Sequence, residues 1–272
     1  MSGLPKVGFI GVGTIAEALV TGLCRDGDRR ADILLSPRNA RIAEDLAGRF
    51  PQVRVAADNQ AVLDASEVVV LAVTPQVADE VLGALSFRGD HRIVSLVATY
   101  DLARLRPLVE PARAIVRAAP LPAVAERLGP LVMHPPAPEI AALFEGLGLL
   151  VQVEEEADMD AFLAVTALMG SYFGLLDQTA AWLGDHVADG SQVQPYVSAL
   201  FHALGVTAQA RAAGGFDRLV AEHSTPQGLN EQAFRELKAA GWTRLVAEIL
   251  DLIHARIQRR ATFADRLGDH RA

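Results

Sequence analysis

Two short clusters near the N-terminus have the residue types and spacing to hold a phosphorylated ligand. Gly11-Val12-Gly13-Thr14-Ile15-Ala16 is a G-x-G-x-x-A turn. It follows Lys6–Ile10, which reads as a short buried strand, and it opens a helical apolar pattern of Ile15, Ala18, Leu19, Gly22 and Leu23. Gly11 permits a tight turn, Gly13 lets the backbone approach a pyrophosphate, and Ala16 lets the helix pack closely on the strand. The unpaired N–H groups of the first helical turn, including Thr14 and Ile15, then face the phosphates with the positive end of the helix dipole. The second cluster is Ser36-Pro37-Arg38-Asn39, with Arg41 one turn further. In turns of this type an acidic residue at that point takes the ribose 2′-hydroxyl. Here a hydroxyl and two guanidiniums stand instead, and they suit the oxygens of a 2′-phosphate. The pattern points to NADP(H) rather than NAD(H). A third stretch, Ala72-Val73-Thr74-Pro75-Gln76, closes the wholly apolar run Val68–Val73. Ligands of open α/β sheets lie beyond the carboxyl ends of strands, so Ala72, Val73, Thr74 and Gln76 are expected at the cofactor.

The elements that must position these residues alternate. Strands read at Ala31–Leu35, Val53–Ala56, Val68–Val73, Arg92–Val97, Ala114–Val116 and Leu149–Val153, with helical patterns between them. This is an α/β chain with a doubly wound, Rossmann-type parallel sheet. Leu128–Pro138 holds four prolines and no clear period, so it reads as a loop, and His134 within it reads as incidental. From Glu154 the pattern changes. Helices are expected at Asp160–Leu183, Gln194–Ala213, Phe216–Glu222, Asn230–Ala240 and Trp242–Ala261, with no β-like run. The first of these is apolar on too many faces for a surface helix. Residues 1–153 are therefore assigned to a dinucleotide-binding domain and 154–272 to an all-helical domain. Its excess apolar surface predicts a homodimer through the C-terminal helices.

The totals narrow the function further. The chain has 272 residues, 33 acidic against 25 basic, and a net charge of −8, so neither nucleic acid nor an anionic membrane surface is an expected partner. One cysteine, Cys24, rules out an intrachain disulfide and reads as a small core residue. The N-terminus shows no signal-type segment, and no unbroken apolar run reaches about 18 residues. A cytoplasmic location is expected. The acidic stretch Glu154-Glu155-Glu156-Ala157-Asp158 suits a helix start, not a metal site.

The whole chain resembles the pyrroline-5-carboxylate reductase family. Val7–Ala18 is similar to its nucleotide turn, Val69–Gln76 (VVLAVTPQ) to its VVLAVKPQ strand and loop, and Met159-Asp160-Ala161 to the start of its long helix. Ser36 and Arg38 stand where that family holds the 2′-phosphate. Its substrate motifs are altered. The R-x-M-P-N-x-P loop corresponds to Arg117-Ala118-Ala119-Pro120-Leu121-Pro122, without the asparagine. The S-G-S-G-P-A-Y segment corresponds to Thr166–Tyr172, where only the tyrosine stands in place. The S-P-G-G-T-T turn, which in the family cradles the substrate carboxylate and supplies a hydroxyl near the imine, corresponds to Thr225-Pro226-Gln227-Gly228-Leu229-Asn230.

The resemblance implies an NADPH-dependent oxidoreductase that reduces the C=N bond of a cyclic imine, a small-molecule substrate. Ser171, Tyr172, Thr225 and Asn230 are the candidates at the substrate end. Tyr172 could donate to the imine, or be a core aromatic bonded to a carbonyl. Asn230 could hold a carboxylate, or cap the helix that follows it. Two alternatives stand beside this reading: proline formation from pyrroline-5-carboxylate itself, and an NADP-binding regulatory protein without turnover.

Overall fold

The computed structural model describes residues 5–27 and 31–267. The chain forms two compact units, Met1–Phe162 and Leu163–Ala272.

In the first unit the order is β1 (Lys6–Ile10), α1 (Thr14–Cys24), β2 (Asp32–Leu35), α2 (Ala40–Arg49), β3 (Val53–Val55), α3 (Asn59–Ala65), β4 (Val68–Leu71), α4 (Pro75–Gly83), β5 (Arg92–Ser95), α5 (Leu102–Leu108), β6 (Ala114–Pro120), β7 (Pro130–His134), α6 (Pro138–Phe144) and β8 (Leu149–Gln152). These strands make one eight-stranded sheet in the order β3-β2-β1-β4-β5-β6-β7-β8. β4 is buried along its whole length, and its side chains alternate between two cores. Val68 and Val70 join Val7, Phe9, Leu19 and Val94 on one face. Val69 and Leu71 join Ile10, Leu63, Leu82 and Ile93 on the other. A strand covered by helices on both faces needs apolar residues at every position, which is the VVVL run. Each fully buried Val, Leu or Ile contributes about 1.5–3 kcal/mol.

The stretch read as a proline loop contains β7. It pairs antiparallel with β6 (Arg117↔His134, Ala119↔Val132) and parallel with β8. Every other pairing in the sheet is parallel. Pro130 occupies the first strand position, where a missing N–H is tolerated, and Pro135 follows the last residue. Between them Leu131, Val132 and Met133 are buried. The prolines mark the ends of a strand rather than its absence.

The chain continues as helices. α7 (Glu156–Thr166) begins in the first unit and crosses its boundary at Phe162. The second unit then holds α8 (Leu168–Gly184), α9 (Val193–Arg211), α10 (Phe216–His223), α11 (Leu229–Ala239) and α12 (Trp242–Ile257). The single helix expected over Asp160–Leu183 is broken at Ala167. The Thr166 hydroxyl donates to the Leu163 carbonyl (2.7 Å), and the Ala167 N–H bonds three residues back, to Ala164. A small core joins α8 to α9 through Ala180, Val193 and Val197. Large apolar side chains remain exposed, among them Phe173, Trp182, Tyr196 and Leu229. Taken together, Glu156–Gly184 is long and apolar enough, by length and composition, to cross a membrane. Counting unbroken apolar runs does not find it, because Asp160, Thr166, Ser171 and Asp177 interrupt the run without lowering its mean hydropathy enough.

Candidate active site

The nucleotide turn, the Ser36 cluster and the Ala72 loop follow the carboxyl ends of β1, β2 and β4, which are neighbours in the sheet. Gly11 has φ +91°, and a Cβ there would lie 2.8 Å from the Ala72 carbonyl oxygen and 2.9 Å from a Val73 methyl. Only glycine fits this left-handed position pressed on the neighbouring loop. Gly13 is the N-cap of α1 in extended backbone, and no side chain caps the helix. A Cβ at Gly13 would meet nothing within 4 Å. The first N–H groups of α1 therefore face open space beside exposed Thr14 and half-buried Ile15, an arrangement that accepts an anion.

Ser36 is placed differently from the expectation that it holds the 2′-phosphate. It is fully buried, and its Oγ accepts the Gly11 N–H at 2.9 Å. A small polar side chain at the end of β2 thus locks the glycine turn from within instead of reaching outward. Arg38 and Arg41 are exposed, and neither guanidinium bonds another described residue. They are the groups at this strand end left for a phosphate. Ala72 and Val73 are half-buried against Gly11. Thr74 is the exposed N-cap of α4 without a side-chain cap bond, Pro75 opens the helix, and Gln76 is exposed on its first turn. A second uncapped helix start thus stands at the same end of the sheet.

Two polar clusters whose pairings the sequence does not announce hold this end in place. Tyr100 is buried, and its hydroxyl donates to Asp79 of α4 (2.9 Å). Arg104 of α5 bonds the same carboxylate at 2.7 Å and lies over the Tyr100 ring, 3.7 Å from its centroid. The guanidinium holds the Asp79 carboxyl below its ordinary range, and burial pushes the Tyr100 phenol up. Arg117 of β6 is buried and pairs with Glu156 (2.8 Å) and Asp160 (3.5 Å) at the start of α7. Glu156 also accepts the Leu102 N–H at 2.8 Å. Arg117 thereby ties β6 to α7, and through Glu156 to α5. His134, its register partner on β7, is buried, and its Nδ1 donates to the Val153 carbonyl (3.1 Å). Its role is structural.

In the helical unit, Ser171 and Tyr172 lie exposed on α8. Tyr172 is edge-on to Phe173 and Phe201, at centroid distances of 5.4 and 6.0 Å. Thr225 is exposed in the turn after α10. Asn230 is not the cap of α11, since Gly228 is. Its Nδ2 donates to the His223 carbonyl at 3.1 Å and ties the end of α10 to α11. α8 packs chiefly on α9, and α11 on α12. No hydrogen bond joins any two of these four residues. In the turn itself Gln227 has φ +61°, and its N–H donates to the Glu231 carboxylate at 2.7 Å. Among the described residues no group of His, Cys, Asp and Glu is arranged to hold a metal.

Residues 6–99 match the family model described as NADP oxidoreductase, coenzyme F420-dependent. The pyrroline-5-carboxylate reductase of Pseudomonas aeruginosa is 30% identical over 274 residues, covering 97% of this chain and 98% of that protein. The solved 1-pyrroline-5-carboxylate reductase of Streptococcus pyogenes superposes with a TM-score of 0.80 at 21% identity, over 94% of this chain and 99% of its own. An imine reductase from Aspergillus terreus, solved with NADPH4 and a dibenzazepine, superposes at 0.53 with 16% identity, over 95% of each chain. A match at that identity along nearly the full length of both proteins, with the nucleotide turn in place, makes this chain a member of the pyrroline-5-carboxylate reductase family.

Proposed function

We propose that the chain is an NADPH-dependent reductase of the C=N bond of a cyclic imine. One observation carries the cofactor half. The uncapped start of α1, open above Gly13, stands beside two exposed arginines that have no partner among the described residues. The N–H groups of Thr14 and Ile15 suit a pyrophosphate, and Arg38 and Arg41 suit a 2′-phosphate. Ala72, Val73, Thr74 and Gln76 line the next strand end. When bound, the reduced cofactor supplies a hydride, and the protein supplies position and field. An iminium nitrogen arrives protonated, so the chain needs no strong acid. Tyr172 keeps its hydroxyl free of protein partners and can donate to the nitrogen or a ring substituent, with Ser171 beside it.

The turn Thr225–Asn230 favours an imine other than pyrroline-5-carboxylate. By resemblance its N–H groups would cradle a ring carboxylate. Here the Gln227 N–H is taken by Glu231, and the Asn230 amide by His223. An internal carboxylate in that turn repels an anionic substrate and suits a cationic one. Residues 1–153 serve in this reading as the nucleotide domain and 154–272 as the substrate and dimerisation domain.

A homodimer is part of the same proposal. Phe173, Trp182, Tyr196 and Leu204 of α8 and α9 are exposed in one chain and would be covered in two. Asp177, in the middle of α8, speaks for a protein seam over a bilayer, where it would cost about 2.5–3.5 kcal/mol. A cytoplasmic location agrees with this reading.

The test is NADPH oxidation against a panel of cyclic imines with and without a ring carboxylate. Turnover of an uncharged or cationic imine, with pyrroline-5-carboxylate a poor substrate, is expected. Proline formation as the fastest reaction would replace this reading with the biosynthetic one. Tight NADPH binding with no turnover across the panel would leave a regulatory binding protein.

A further inference from the structure

The opposite end of the sheet carries a second concentration of arginines. β1, β4, β5 and β6 are parallel, so the first residues of β5 and β6 lie at the end remote from the Gly11 turn. There Arg92, Arg106 and Arg113 line one cavity of about 250 Å³. Arg106 and Arg113, with Glu110, also line a second cavity of about 430 Å³. The floor of the first is apolar, with half-buried Leu102, Pro135, Pro136 and Ala137 over the buried Ile93, Ile115 and Ile140, and Glu139 is the only acidic residue among its lining groups.

The arginines nearby show what the fold does when it has a partner to offer. Arg104 is bonded to Asp79 and Tyr100. Arg88 is bonded to the carbonyls of Leu63, Asp64 and Ser66 and to Asp90. Arg117 is paired with Glu156 and Asp160. The guanidiniums of Arg92, Arg106 and Arg113 have no such bond to any described residue. Three cations thus share one cavity in a chain whose net charge is −8. Like charges held together destabilise one another, and a multivalent anion between them removes that repulsion. Guanidinium forks match phosphate oxygens, and the apolar floor matches a carbon body.

We propose that this cavity binds the phosphate group of a small phosphate monoester, at a site separate from the dinucleotide turn. The phosphate lies among Arg92, Arg106 and Arg113, and the ester group lies on Leu102, Pro135 and Pro136. Glu139 favours esters that carry a hydroxyl or amine donor beside the phosphate.

The experiment is calorimetric titration of the full chain with phenyl phosphate and, separately, with inorganic phosphate. NADPH is kept in excess so that the 2′-phosphate position is filled, and the Arg38→Ala/Arg41→Ala variant without NADPH serves as a second background. Saturable binding of phenyl phosphate in both backgrounds is expected. It should weaken at least about tenfold in Arg106→Ala/Arg113→Ala and less in Arg106→Lys/Arg113→Lys, which keeps the charge but not the fork. Tighter binding of phenyl phosphate than of inorganic phosphate is expected from the apolar floor, and equal binding would make free phosphate the ligand of the same site. The absence of saturable heat with both probes would overturn the proposal. So would an affinity unchanged in Arg106→Ala/Arg113→Ala, whose substituted side chains are exposed and leave the core intact.

Discussion

The two units of this chain handle their apolar residues in opposite ways. In the first, β4 is buried on both faces, and the polar groups within the sheet are bonded, as Ser36 is to Gly11 and Arg117 to Glu156. In the second, α8 has one buried residue, Ala180, while Phe173 and Trp182 are two-thirds and three-fifths exposed. A doubly wound sheet closes its own core, because helices cover both faces. A helical unit that leaves such side chains in water would bury them in the dimer proposed above. The lesson is that a sheet covered on both faces accounts for its apolar residues within one chain, whereas the helical unit by itself does not.

The largest effect expected in breaking this contrast is at Arg117. Arg117→Ala leaves Glu156 and Asp160 at the start of α7 without their cation and should destabilise the first unit by about 3 kcal/mol. Urea unfolding followed by tryptophan fluorescence would miss it, since both tryptophans, Trp182 and Trp242, lie in the second unit. Far-ultraviolet circular dichroism would record it. Next comes the glycine pair. Gly11→Ala puts a methyl against the Ala72 carbonyl at positive φ and should lose about 2 kcal/mol of stability together with NADPH binding. A Cβ at Gly13 meets no protein atom within 4 Å, so Gly13→Val should keep its melting temperature while losing NADPH affinity. Equal thermal losses in the two variants would refute the open cradle.

Trp182→Glu tests the second unit. It should shift the chain from dimer to monomer in sedimentation, by about 2 kcal/mol in association, with the sheet unaffected. Arg38→Ala with Arg41→Ala should raise KM for NADPH about tenfold or more and leave that for NADH unchanged. A parallel rise for both cofactors would mean that these arginines do not read the 2′-phosphate.

The smallest effect is in pH. His91 is buried, with Nδ1 accepting the Arg88 N–H and Nε2 donating to the Leu63 carbonyl. Burial, with Arg88 beside it, holds its pKa below the ordinary value. Below about pH 6.5 the unfolded chain then binds a proton that the folded one refuses, so stability present at neutral pH declines on acidification. His91→Gln should flatten that part of the melting profile. Cys24, whose thiol burial pushes up to about 11, should react with a disulfide reagent only after unfolding.

Much of the first unit was legible because its signals are local. Gly11, Gly13 and Ala16 stand in a fixed strand–turn–helix frame, and Val68–Leu71 announces a central strand by having no polar position. β7 was hidden, since prolines at its two ends outweigh Leu131–Met133 in a reading by composition. Ser36 was seen as a phosphate ligand because sequence places it beside Arg38 but cannot say that its hydroxyl turns inward to Gly11. Arg117 is visible in the sequence as the head of an altered loop motif, but its pairing is not, because Glu156 and Asp160 are 39 and 43 residues away and nothing local announces it.

The sequence by itself determined the α/β class, the nucleotide turn, the arginines beyond β2 and the all-helical second half. These follow from backbone sterics, hydrophobic period and charge, all of which act within a few residues. Only the tertiary structure decided that Ser36 locks the turn from inside, that Arg117 ties the sheet to α7, that Glu231 occupies the N–H of the turn after α10, and that Arg92, Arg106 and Arg113 share one cavity. Each of these is a meeting of side chains whose geometry is set by packing, and spacing along the chain does not encode it.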